Sequence, residues 1–69
     1  MTRQDKVQTY NALALNQRRK GYAVGSQRWK QCGSELIQAM NRLSPAAARF
    51  VDCNFNNNAK DWVSELSVL

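Results

Sequence analysis

Apolar residues return along this chain at steps of three and four with no sustained alternation, the pattern of helices that each bury one stripe. The clearest stripe is Trp29, Cys32, Leu36, Ala39, Met40 and Leu43, and Ser26 stands where its N-cap belongs. A second stripe, Val7, Tyr10, Leu13 and Ala14 with Gln17 in register, follows Thr2-Arg-Gln-Asp5, a capping box with Asp in place of Glu. It predicts a first helix over about residues 3–20. Arg18, Arg19 and Lys20 fall in its last turn, where cations complement free carbonyls, and Gly21 is expected to close it in a left-handed conformation. Trp62, Val63, Leu66 and Leu69 form a last stripe that runs off the C-terminus.

The breaks between these stripes are equally readable. Proline disfavours a helical residue before it and fits a first helical turn, so Ser44-Pro45 ends one helix near Leu43 and starts another. The third helix runs from there to Cys53, with Phe50 and either Val51 or Cys53 turned inward. Asn54-Phe-Asn-Asn-Asn58 reads as a loop, because asparagine bonds local backbone in competition with the helix, and Phe55 is expected to plug the core edge. Asn58 then caps a fourth helix with Asp61 near its positive end. In the connector Tyr22-Ala-Val-Gly25 the two apolar residues are expected against the core. Gly33 costs its helix roughly 1 kcal/mol relative to alanine, so either a neighbour passes close or the segment restarts at Ser34; one continuous helix is the reading adopted.

The fold class is therefore all-α, a compact bundle of three to four short helices in a single domain spanning 1–69. Its expected core is Val7, Tyr10, Leu13, Trp29, Leu36, Met40, Leu43, Phe50, Trp62 and Leu66. A chain of 69 residues rarely gains more than ~3–5 kcal/mol from such a core, which calls for a staple. Two cysteines cannot make a disulfide scaffold, and without histidine one copy cannot supply four soft zinc ligands. Homodimerisation is the expected staple, through Trp62, Leu66 and Leu69; closure of the chain's own core by the same residues is the simpler alternative. The first twelve residues are polar where a secretory signal would be apolar, and no apolar run approaches the ~20 residues that span a bilayer. The expectation is a soluble, cytoplasmic protein with buried, reduced thiols, no membrane contact and no cofactor.

Charge changes this picture most. Residues 1–30 carry Arg3, Lys6, Arg18, Arg19, Lys20, Arg28 and Lys30 against Asp5 alone, a local +6. Residues 31–69 set Arg42, Arg49 and Lys60 against Glu35, Asp52, Asp61 and Glu65, a local −1, so the net +5 is concentrated in the front half. Such an end favours polyanions or acidic protein surfaces. The candidate contact set is Arg18, Arg19, Lys20, Tyr22, Arg28 and Lys30, in which cations would neutralise phosphates and Tyr22 or Trp29 would stack on a base, unless the rings belong to the core.

Other chemistry is poorly provided for. Cys32 and Cys53 have no histidine to act as base, and Asp52, Asp61 and Glu65 form no recognisable pair, so an enzyme is not expected. A helix-turn-helix fits badly: Ser44-Pro45 leaves almost no turn, and a recognition helix over 59–69 would bring Asp61 and Glu65 against the phosphates. The expected function is a small non-enzymatic regulatory protein associating with nucleic acid or a nucleic-acid-bound complex. The alternative is a protein-protein inhibitor or adaptor, of the kind carried by phages and mobile elements, docking its basic face on an acidic partner.

Overall fold

Thr2 and Asp5 form the capping box that opens the first helix: the Thr2 hydroxyl accepts from the Asp5 N–H at 3.1 Å, and the Asp5 carboxylate accepts from the Thr2 N–H at 3.3 Å. The computed structural model describes residues 1–68, which form four helices. They are α1 (Arg3–Lys20), α2 (Gln27–Asn41), α3 (Pro45–Cys53) and α4 (Ala59–Val68). Each start has a local cause. Ser26 and Ser44 accept from the N–H groups of Trp29 and Ala47 at 3.2 Å, satisfying donors that have no partner in a first helical turn, and Pro45 occupies the turn it suits. At α4 the Asp61 carboxylate accepts from the Asn58 N–H at 3.0 Å. α2 is unbroken at Gly33.

The helices are arranged around a hub. α2, α3 and α4 each pack on α1, which at 1.5 Å per residue is about 27 Å long in a molecule measuring 35 Å in its longest dimension. The core holds Ala12, Leu13, Leu15, Leu36, Ala39, Val51, Trp62 and Leu66, with Met1, Met40, Leu43, Phe50 and Phe55 packed half-buried against it. Thr9 and Asn16 are buried on the same side of α1.

Several expectations are corrected here. Val7 and Tyr10 are 60% and 55% exposed, because the face of α1 that meets three helices is the one carrying Thr9, Ala12 and Asn16. Leu13 and Leu15 are buried on that face too, and of the predicted stripe Val7 and Tyr10 are the residues turned outward. Trp29, Met40, Leu43 and Phe50 are half-buried instead of fully enclosed, while Cys32, Ala39, Ala47 and Val51 are buried. Gly21 stays right-handed at φ −80°, and α1 ends in a tight turn in which the Gly21 and Tyr22 N–H groups reach the Arg18 and Arg19 carbonyls at 3.1 Å. The positive φ falls at Gly25, 86°, in a turn closed by the Ser26 N–H on the Ala23 carbonyl. That turn projects Val24 into solvent, 83% exposed, instead of tucking it against the core. Of the two thiols Cys32 is buried, but Cys53 is exposed.

Trp62 and Leu66, expected to meet a second copy, lie within the chain's own core at 1% and 5% exposure; Leu69 lies outside the described residues. This is the intramolecular arrangement. The Tyr10 ring stands edge-on to Trp62, with centroids 5.7 Å apart at 71°. The Trp62 indole N–H is buried without a partner.

Candidate nucleic-acid interface

The last turn of α1 and the first turn of α2 are joined by the six residues 21–26, which puts the predicted cations on adjoining helix ends. They are not equivalent there. Arg19 lies inward: its guanidinium carbon sits 4.3 Å from the centre of the Trp29 ring, and its Nε is buried with no hydrogen-bond partner. Gly33 is one turn beyond Trp29 on α2, and a β-carbon built on it would lie 3.6 Å from the Arg19 Nε. Trp29 and Gly33, four apart on one helix face, thus form the bed of this side chain. The closely passing neighbour that Gly33 implied is the Arg19 side chain.

Lys20 is tied in a different way. Its Nζ donates to the Phe55 carbonyl at 2.8 Å, and the buried Asn16 amide donates to the same oxygen at 2.7 Å. Gln17 adds a third link, donating to the Asn57 carbonyl at 2.7 Å. These side chains on the last turns of α1 hold the asparagine-rich loop, which also holds itself: Asn54 donates to the Phe50 carbonyl at 2.9 Å and accepts from the Asn57 amide at 3.0 Å. Sequence reasoning missed this clamp. The available signal was Asn16, which stands three and four residues after Leu13 and Ala12 and so shares their buried face.

Arg18, Arg28 and Lys30 remain. All three are exposed, and among the described residues no side-chain hydrogen bond engages them. Arg28 and Lys30 stand in the first turn of α2, which has no acidic residue. Tyr22 is half-buried, as is Trp29, one face of which lies against the Arg19 guanidinium.

Among the surface grooves formed by the described residues, three involve α2, α3 or α4. Arg19, Leu36, Ile37, Met40, Asp52 and Phe55 line one of about 300 Å³ between α2 and α3. Lys6, Val7, Tyr10, Val63 and Leu66 line one of about 370 Å³ beside α4, and Arg49, Phe50, Cys53 and Glu65 line one of about 410 Å³ between α3 and α4. Among the described residues no three of Cys, Asp and Glu come together to hold a metal ion, and no helix is long and apolar enough to cross a membrane. The chain matches no family model, no curated protein and no solved structure with which it was compared.

Proposed function

We propose that this chain is a small, non-enzymatic regulatory protein that associates with nucleic acid, or with a complex containing it, through the cationic end formed by Arg18, Arg28 and Lys30. The observation that carries this reading is the first turn of α2. A helix N-terminus bears roughly half a positive charge, and a cation there costs about 0.3–1 kcal/mol where an acid would stabilise by as much. α2 nevertheless places Arg28 and Lys30 in that turn with no acid to offset them. Arg18, from the neighbouring helix end, adds a third exposed charge. The arrangement is unfavourable for the isolated chain, and a bound polyanion reverses its sign.

Lys20 remains exposed at the same end and reinforces the local field while it holds Phe55. The protein-docking alternative draws on the same cations and on Ile37, which is 64% exposed at the lip of the α2–α3 groove. Self-association stays within the proposal on the small size of the core alone. The function is tested by titrating labelled DNA and RNA, each single-stranded and duplex, with the protein at low salt, where surface electrostatics are strongest. Binding that weakens as salt is added is the expected result. No measurable binding to any of the four would overturn it in favour of an acidic protein partner.

A further inference from the structure

Independently of the nucleic-acid reading, we propose that the groove beside α4 is a second docking surface and that its occupant is an acidic, amphipathic helical segment of a partner protein. Among the described residues six large apolar side chains are exposed, and three of them, Val7, Tyr10 and Val63, line this one groove together with the buried Leu66. Apolar side chains gathered in this way mark an interaction surface more often than the same residues scattered singly. The Tyr10 ring stands edge-on to Trp62 at 5.7 Å, so the core holds this wall in place before anything binds. Val7 also lines a neighbouring groove of about 560 Å³ with Arg3, Gln4 and Gln8. The two follow α1 from Arg3 to Tyr10, about 10 Å at 1.5 Å per residue, which is the length of two helical turns.

Charge selects the occupant. In the α2–α3 groove Arg19 is accompanied by Asp52, and in the α3–α4 groove Arg49 is accompanied by Glu65. The two grooves along α1 are lined by Arg3 and Lys6 and by no acid. Asp5, next to Lys6 in sequence, lines neither of them and accepts from the Thr2 N–H at 3.3 Å. Both cations stand in the first turns of α1, where the helix dipole also favours a negative partner. A second copy related by a two-fold axis would present the same patch, apolar and basic again, and would leave the cations unmatched. Nucleic acid would match the cations but set phosphates against Val7, Tyr10 and Val63. A short helix with apolar residues at three- and four-residue spacing and Asp or Glu beside them matches both features.

The test is selection of a random displayed peptide library on the native protein, followed by titration of the selected peptides. The expected result is enrichment of sequences that pair apolar residues at helical spacing with Asp or Glu, and affinity that weakens as salt is added. Val7→Ser and Arg3→Glu, both at exposed positions, should each weaken binding by about tenfold or more while helical content is retained. Arg49→Glu, in the α3–α4 groove, should change it by less than about twofold. Enrichment of peptides without acids, enrichment of none, or affinity indifferent to Val7→Ser and Arg3→Glu would overturn the proposal. A native dimer that Val7→Ser converts to monomer would assign the groove to a second copy and overturn it as well.

Discussion

The Arg19 guanidinium lies 4.3 Å from the centre of the Trp29 ring, which turns one of five clustered cations into part of the fold. A cation over an indole contributes about 0.5–1 kcal/mol at exposed sites and more when desolvated. Here the gain is offset by the buried Nε, which has no acceptor. Arg19→Gln should therefore lower stability by about 1 kcal/mol through lost stem packing and lost stacking, while nucleic-acid affinity changes far less than with Arg28→Gln. Denaturant melts run beside binding titrations check this; a variant that is stable but does not bind would move Arg19 back into the contact surface.

Gly33 and Gly25 should respond to alanine in opposite directions. At Gly33 the added carbon meets Arg19 at an ordinary contact distance of 3.6 Å, so Gly33→Ala should raise stability by about 0.5–1 kcal/mol. At Gly25 space is open but φ is 86°, and Gly25→Ala should cost roughly 1–2 kcal/mol. Thermal unfolding of the two variants reads the difference, and loss of stability from Gly33→Ala would mean that α1 and α2 approach more closely than described.

The loop clamp should be worth more than its surface position suggests. Asn16 is 3% exposed and donates to Phe55, so Asn16→Ala removes a buried bond and leaves a cavity, at a cost of about 1–3 kcal/mol. Amide exchange over residues 54–58 should accelerate with it. Unchanged exchange there would show that the loop holds without α1.

The thiols should separate cleanly. Cys53 is exposed and should react with a thiol reagent in the native protein, whereas Cys32, 6% exposed, should react only on unfolding. Cys32→Ser should cost about 1–3 kcal/mol through the hydroxyl it buries, and Cys53→Ser under about 0.5. Equal reaction rates would contradict the burial.

These contrasts also explain what could be read from the chain beforehand. Helix positions follow from local chemistry at Thr2, Ser26 and Ser44-Pro45, and every one of those caps forms. The inward face of α2 was legible because its stripe of Cys32, Leu36 and Ala39 meets one partner, α1. The face of α1 was not. Of its apolar stripe Leu13 is buried, but Val7 and Tyr10 lie round the helix from Thr9, Ala12, Leu15 and Asn16, which are buried with it. α1 buries Thr9, Ala12 and Asn16 beside Leu13 and Leu15, and a hydrophobic pattern does not report the first three. The cationic end was legible as charge, but the removal of Arg19 onto Trp29 depends on two residues ten apart and on the glycine that makes room beside them.

Assembly is now a sharper question than the sequence made it. Leu66→Asp puts a charge into the core and should unfold the chain, so a loss of association in that variant reports folding. Sedimentation of the unaltered protein at micromolar concentration should give a dimer if the small core needs a second copy. A monomer with a high melting temperature would remove that need.

The central claim is that Arg18, Arg28 and Lys30 act as a localised contact end and not merely through net charge. Reversing these three to glutamate takes the formal charge from +5 to −1, and so does reversing Arg3, Arg42 and Arg49, which are also exposed but lie elsewhere on the fold. Affinity for duplex DNA should be measured for both triple variants at low and moderate salt, with helical content checked in parallel. The account predicts that the first variant loses binding altogether while the second weakens but still binds with a comparable salt slope. Equal loss in both, or binding that survives in the first, would contradict it.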